Sequence, residues 1–421
     1  MTSDQNTPAS ATGAGRAGRG LSRRHLLFGG AAAGLGAAAA AGAGVGILTV
    51  QQSTAAVTPP VEVVPNGAET VPFYGAHQAG IAVIPQSHAT HIAVDLAAGT
   101  DRASLVRMMQ ILTDDAARLS QGQHALADSE PELATVPARL TVTFGFGHEF
   151  VTRAAGVVPS WLRPLPAFGV DRLEDAWTGG DFLMIVAADD PLTVAHATRM
   201  LLKDTRSFGT VRWTQAGFRR APGSEKPGTT MRNLFGQVDG TVNPHTQDTD
   251  FDQLVWSQGD PAWMAGGTSF VLRRIHMNLD KWDLLDRSGR EQSVGRDLAN
   301  GAPLTGINET DEPDFTAVTP IGFPVIPEFS HIRRARSDNP AERIHRRGYN
   351  YDDTPNPGSV SNSGLLFGSY QADVDKQFVP IQKRLDDLDL LNEWITPIGS
   401  AVFAIPPGCA ETGFIGESLL A

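Results

Sequence analysis

The strongest constraint on the fold lies between residues 92 and 213, where two kinds of hydrophobic pattern alternate. Four short segments are apolar or alternating and are typical of β-strands: 92–96, 140–144, 182–186 and 211–213. Two longer segments carry helix signals, a recurring apolar face and a capping aspartate: 101–119 and 190–203. The order strand, helix, strand, strand, helix, strand predicts an α+β chain that begins with a ferredoxin-like unit.

The second half of the chain repeats this pattern less regularly. Strands are predicted at 269–277, 365–370 and 401–405, and helices at 280–287, 291–296 and 374–385. A stretch rich in proline, glycine and charge separates them, from about residue 302 to about 362, and long irregular stretches are usually functional. We therefore expect two ferredoxin-like units of the dimeric α/β-barrel type, at 57–222 and 223–421, with a site between them.

Composition excludes several classes of function. With 421 residues, of which 41% are hydrophobic and 19% charged, the chain can bury a large core. A net charge of −12 argues against nucleic acid as a partner, since phosphate binding needs a basic surface. Cys409 is the one cysteine, which excludes an internal disulfide and zinc or iron–sulfur sites built from several thiolates.

The N-terminal 56 residues are typical of an export signal and lead-in. Arg23 and Arg24 precede a long run rich in alanine and glycine that ends near Val50. A twin arginine before a weakly hydrophobic stretch predicts a Tat signal, and a transmembrane anchor is the alternative. The Tat route carries folded proteins, so we expect a protein that is secreted, periplasmic or associated with the cell envelope, with the Tat translocase as a transient partner.

Two stretches could carry chemistry. In the sequence Gly-Gln-Val-Asp-Gly-Thr-Val-Asn-Pro at 236–244, Asp239 lies between glycines that let a ligand approach closely, although Asp-Gly is also a common turn. At 330–336, three arginines follow His331 within five residues. An imidazole can bind haem iron and arginines can pair with haem propionates, but an ordinary surface histidine is the alternative.

Taken together with 72–81, 346–349 and 364–373, these two stretches resemble the dye-decolourising peroxidases. The resemblance is to the exported bacterial subgroup that includes deferrochelatase-like members, and it extends from about Pro72 to about Gly408. It implies a peroxidase with haem b (iron protoporphyrin IX) in the C-terminal half. Such an enzyme uses hydrogen peroxide to oxidise dyes, phenols or other small aromatic reductants through a ferryl intermediate.

The alternatives are a deferrochelatase that releases iron from haem, a non-catalytic exported haem-binding protein, and an exported binding protein without haem. A homo-oligomer is possible in each case.

The resemblance also implies the residues on the iron-binding side. His331 would be the proximal ligand of the iron. Asp373 would accept a hydrogen bond from the other ring nitrogen, which makes the imidazole more basic. Asp375 lies two residues along, and the alternative for either aspartate is to cap the helix that begins near Val374.

On the peroxide side the resemblance implies a catalytic pair. Asp239 would move the proton between the peroxide oxygens, and Arg346 would stabilise the developing negative charge, with Arg347 as its neighbouring alternative. Five further residues would contact the cofactor or line its pocket, Arg333 as a propionate partner: Gly240, Asn243, Arg333, Leu365 and Phe367.

Overall fold

The computed structural model describes residues 66–421, so the predicted export signal and lead-in at 1–56 lie outside the described residues. The described part of the chain contains nine strands: β1 His88–Leu96, β2 Thr141–Phe146, β3 Phe182–Ala188, β4 Gly209–Phe218, β5 Thr268–Met277, β6 His345–Arg346, β7 Tyr349–Asp353, β8 Asn362–Gln371 and β9 Ile395–Ile405. It also contains nine α-helices: α1 Arg102–Ser120, α2 His148–Arg153, α3 Pro191–Thr205, α4 Phe251–Val255, α5 Leu279–Asp283, α6 Arg287–Val294, α7 His331–Ala335, α8 Val379–Leu388 and α9 Glu417–Leu420. None of the helices in this part is both long and apolar enough to cross a membrane.

The strands form one antiparallel sheet that closes on itself. In the first half the order is β2-β3-β1-β4, and in the second half it is β9-β5-β8-β7. Strand β2 pairs with β9 and β4 pairs with β7, so the two halves join at both edges into a barrel. Closure leaves none of these eight strands as a free edge. The short β6 pairs with the C-terminal end of β8, at Ser369 and Tyr370.

The two long helices of the first half begin where the sequence predicts. Asp101 accepts a hydrogen bond from the Ser104 N–H at 2.8 Å, and Asp190 accepts one from the Thr193 N–H at 3.2 Å. Each side chain therefore satisfies an amide that the first turn leaves without a partner. Both helices cover the outer face of the first-half strands with a continuous apolar core. The strands' other face fills the barrel interior.

The second half departs from the prediction in the stretch thought to be irregular. Strands β6 and β7 and helix α7 all lie within 302–362. The helix predicted from residue 374 begins with a π-helical turn, Val374–Phe378, before α8. Residues 66–421 form one compact unit, and the expected boundary at 222–223 falls in the connection between β4 and α4; the division into two domains stays a prediction.

Candidate active site

A cavity of about 820 Å³ lies against the outer face of β5 and β8 in the second half. Leu365 and Phe367 project into it, whereas Leu366, between them, packs in the barrel interior. Helices α7 and α8 and the loop around Asp239 form further walls. The volume and the mainly apolar lining are those of a site for a small molecule or an organic cofactor.

His331 is the first residue of α7, and its side chain faces this cavity. Its Nδ1 lies 2.6 Å from Oδ2 of Asp389, which is buried just after α8. The other oxygen of Asp389 accepts the Leu391 N–H at 3.0 Å, so the carboxylate is fixed in place. Burial lowers the pKa of His331, but the charge and hydrogen bond of Asp389 outweigh burial and the pKa lies above its usual value. Because Nδ1 is occupied, Nε2 is the ring nitrogen left to bind a metal.

The predicted role of Asp373 is therefore wrong. Its Oδ1 accepts the backbone N–H groups of Asp375 and Lys376 at 2.9 and 3.1 Å, and its Oδ2 pairs with the Lys376 ammonium at 2.9 Å. Asp373 is thus the N-cap of the helical turn at Val374, which was the alternative interpretation. Asp375 pairs with Arg163 at 3.0 Å. Chain folding, rather than any local motif, brings Asp389 to His331 from 58 residues away.

Asp239 and Arg346 form an ion pair in the wall of the same cavity. Arg346 Nη1 donates to Asp239 Oδ1 at 2.9 Å, and both side chains are 22% exposed. Arg346 lies on β6, whereas Asp239 lies on a loop whose turn requires Gly240 at φ +136°, a conformation that favours glycine. Residues 107 positions apart thus present an acid–base group and a fixed positive charge to one space.

Asn243 ties this loop to β6. Its Oδ1 accepts the Arg346 N–H at 2.6 Å, and its Nδ2 donates to the Arg346 carbonyl at 2.8 Å. Asn243 and Gly240 line the cavity, as predicted. Arg347 points elsewhere and donates to the Val83 carbonyl and to Gln86 Oε1, both at 2.6 Å.

Arg333 does not face the cavity, so the structure gives no support to its predicted pairing with a propionate. Its guanidinium donates to the carbonyls of Phe315 and Ile326, both at 3.1 Å, and so closes the base of the segment 315–326. Besides Arg346, the arginines on the cavity wall are Arg273, Arg296, Arg336 and Arg343. Of these, Arg273 could have been found by alternation, since it shares one face of β5 with Ile275 and Met277, which also line the cavity.

Comparison with known proteins identifies the family. The family model described as Dyp-type peroxidase, N-terminal, matches residues 78–219, and the one described as Dyp-type peroxidase, C-terminal, matches residues 230–410. The chain belongs to the Dyp-type peroxidase family.

Relatives support the same assignment over most of the chain. A dye-decolorizing peroxidase of Thermobifida fusca (strain YX) is 37% identical over 421 residues, 96% of this chain and 98% of the relative. A deferrochelatase of Escherichia coli O6:K15:H31 (strain 536 / UPEC) is 35% identical over 379 residues, 84% of this chain and 88% of the relative. The crystal structure of a DyP-type peroxidase from Cellulomonas bogoriensis is 53% identical, covers 85% of this chain and 99% of its own, and superposes with a TM-score of 0.82. Ferric DtpA from Streptomyces lividans is 38% identical, covers 84% of this chain and 98% of its own, and has a TM-score of 0.80.

As a Dyp-type peroxidase, the protein is a haem enzyme that consumes peroxide, and the predicted family, reaction and cofactor are confirmed. The mixed α/β class is confirmed as well. The cavity suits haem by its chemistry: an imidazole on its wall whose Nδ1 is held by Asp389, the apolar outer face of β8, and arginines on the wall for acidic groups.

Proposed function

We propose that this Dyp-type peroxidase holds haem iron through Nε2 of His331 and activates peroxide with Asp239 and Arg346. Haem, when bound, supplies the iron that takes up peroxide and the electrons that break its O–O bond. The observation that carries the proposal is the arrangement of two pairs around one cavity, His331 with Asp389 and Asp239 with Arg346.

The protein's part is proton movement and charge stabilisation. The Asp239 carboxylate takes a proton from one peroxide oxygen and returns it to the other, which leaves as water. Arg346 stays positively charged at any working pH and stabilises negative charge on the departing oxygen. Their 2.9 Å contact, together with the hold of Asn243 on the Arg346 backbone, fixes the direction of both groups before peroxide arrives.

Single substitutions in the holoenzyme test these roles. We expect Asp239→Ala to slow the reaction with peroxide about 10²- to 10⁴-fold, and Arg346→Leu about 10²- to 10³-fold, measured as the rate of change of the haem absorption band after stopped-flow mixing. Asp375→Asn, which alters a carboxylate paired with Arg163 away from the cavity, is the control. Wild-type rates in Asp239→Ala would contradict the proposal.

The name of the Thermobifida fusca relative favours dyes as the second substrate. A second candidate function is the release of iron from haem, because curated relatives covering 84% of the chain are named deferrochelatase. Porphyrin fluorescence of the purified holoenzyme, followed over hours without peroxide, separates the two. Accumulation of metal-free porphyrin would favour the deferrochelatase, and its absence would favour the peroxidase.

We also propose export through the Tat pathway, supported by Arg23 and Arg24 before an apolar run. Replacing both arginines with lysine should keep the protein in the cytoplasm, and continued export of that variant would contradict the proposal.

The two halves of the barrel support one further structural proposal. When the short β6 is left out, each half has four strands, of which the first lies between the third and the fourth and the second lies outside the third. We infer that each half is a ferredoxin-like unit. A crystal structure of the holoenzyme tests this through the strand order of each half.

A further inference from the structure

The loop that carries Asp239 has little regular structure of its own to hold it. Asp239 bonds through its backbone N–H to the Met231 carbonyl at 2.8 Å, and the Asn243 N–H reaches the Gly240 carbonyl at 2.9 Å. Gly236 and Gly240 both have positive φ, +81° and +136°, so the loop contains two residues with wide backbone freedom. A proton-transfer group on such a loop needs support from elsewhere in the chain.

The carboxylate of Glu309 supplies that support by accepting hydrogen bonds from two threonines, one before and one after Asp239 in the sequence. Thr230 Oγ1 donates to Glu309 Oε1 at 2.6 Å, and Thr241 Oγ1 donates to the same oxygen at 2.9 Å. Thr230 lies where the chain enters this region, and Thr241 lies two residues after Asp239. A Cβ atom added to Gly240 would lie 3.2 Å from the Thr230 methyl group, so the segments that contain Gly240 and Thr230 are in close contact. Glu309 therefore bridges the two sides of the Asp239 loop.

Glu309 is itself held in place, although no residue from 296 to 330 of the described chain lies in a helix or a strand. Arg296 is buried and donates through Nη1 to the Glu309 carbonyl at 2.8 Å and to the Gly301 carbonyl at 2.6 Å. Burial lowers the pKa of Arg296, whereas the charge of Glu309 raises it. A connected series of contacts thus leads from Arg296 through Glu309 and its two threonines to the loop of Asp239.

We propose that Glu309 is a positioning residue for Asp239, fixing the carboxylate at the distance and angle that proton transfer to and from peroxide requires. The inference rests on the proposed role of Asp239 and deepens it. Small displacements of a reacting group are costly, and a misplacement of about 1 Å can reduce a rate about 10²-fold. Glu309 acts through its acceptor oxygen, so an amide in its place should serve almost as well as the carboxylate.

The test compares Glu309→Ala with Glu309→Gln in the holoenzyme. Glu309→Ala should slow the peroxide step about 10- to 100-fold. Glu309→Gln, which keeps an acceptor oxygen, should stay within about threefold of wild type. The later oxidation of an aromatic reductant, measured after peroxide has been consumed, should change little in either variant. Asp314→Ala is the control, since Asp314 lies in the same segment but is exposed and accepts hydrogen bonds from the Thr316 N–H at 2.8 Å and the Thr316 hydroxyl at 2.7 Å, away from the cavity wall. If Glu309→Ala does not bind haem, Thr230→Val takes its place in the test. It removes one of the two hydrogen bonds to Glu309 at a residue that does not line the cavity.

The outcomes separate this inference from the proposed function. Normal peroxide kinetics in Glu309→Ala, with slow kinetics in Asp239→Ala, would overturn the inference and leave the proposed function intact. Equal losses in Glu309→Ala and Glu309→Gln, or in Glu309→Ala and Asp314→Ala, would also overturn the positioning role. Normal kinetics in Asp239→Ala would overturn the proposed function itself.

Discussion

At the scale of single residues, the proposed role of His331 as iron ligand gives its partner, the buried carboxylate of Asp389, a measurable effect on haem binding. A carboxylate on Nδ1 fixes the ring and raises the basicity of Nε2, and removing such a partner typically costs 10- to 100-fold in affinity or activity. We therefore expect Asp389→Asn to weaken haem binding by about 10- to 100-fold. Titration of the haem-free protein with haem, followed by visible absorption, measures this.

Asp373→Asn provides the comparison. Asparagine caps helices about as well as aspartate, so this variant should bind haem like the wild type. The residue stabilises the turn at Val374 and does not touch His331. A loss of affinity in Asp373→Asn equal to that in Asp389→Asn would contradict the role of Asp389 as the partner of His331.

At the scale of elements, Arg333 closes the segment 315–326 against α7. The segment carries strongly exposed apolar side chains, Val318, Ile321 and Phe323, so its folded position depends on contacts at its base. Arg333→Ala removes two hydrogen bonds to that base. We expect faster cleavage by chymotrypsin after Phe315, which precedes Thr316 and whose ring centre lies 5.5 Å from the Arg333 guanidinium, with haem affinity within about twofold of wild type because Arg333 does not face the cavity.

Arg334→Ala is the control for this experiment, since Arg334 donates to the Arg384 carbonyl on α8 and not to the segment. A marked loss of haem affinity in Arg333→Ala, with unchanged proteolysis, would restore the propionate role that the sequence predicts.

At the scale of the whole molecule, the barrel interior contains a histidine that cannot easily take up a proton. His91 on β1 is buried and stacks on Phe270, with ring centres 6.2 Å apart. Burial lowers the pKa of His91 to about 4, and the positive charge of Arg347 lowers it as well. In the unfolded chain the pKa is about 6.5, so the unfolded state binds more protons between these values and stability falls as the pH falls.

The expected size of this effect is about 2.5 kcal/mol between pH 7.5 and pH 4.5. Other groups titrate in the same range: burial lowers the pKa of His345 to about 4 too, while burial and Asp115 raise the pKa of Asp204 to about 7, which acts in the opposite direction. The measurement is therefore a difference: the fall in the free energy of unfolding with pH should be about 2.5 kcal/mol smaller in His91→Gln than in the wild type. Identical pH dependence in the two proteins would contradict the prediction.

The sequence by itself determined the elements whose causes are local. Asp101 and Asp190 cap the predicted helices because a cap needs only an acceptor within three residues. The apolar and alternating segments of the first half predicted strands within a few residues of their observed bounds, because strands such as β2 and β3 are buried on both faces. Asp239, Asn243 and Arg346 were found from motifs of the family resemblance, and the structure brings all three to one cavity.

The tertiary structure alone decided the contacts between distant segments. Asp389 rather than Asp373 reaches His331, and Arg333 turns to the carbonyls of Phe315 and Ile326. Both errors have one cause: a side chain's partner depends on where separate segments meet, and spacing along the chain carries no information about that. Closure of the barrel through the strand pairs β2–β9 and β4–β7 is likewise a contact between segments far apart in the chain. Strand pairing between the halves is set by sheet twist and by burial of both faces, which only the folded chain brings together.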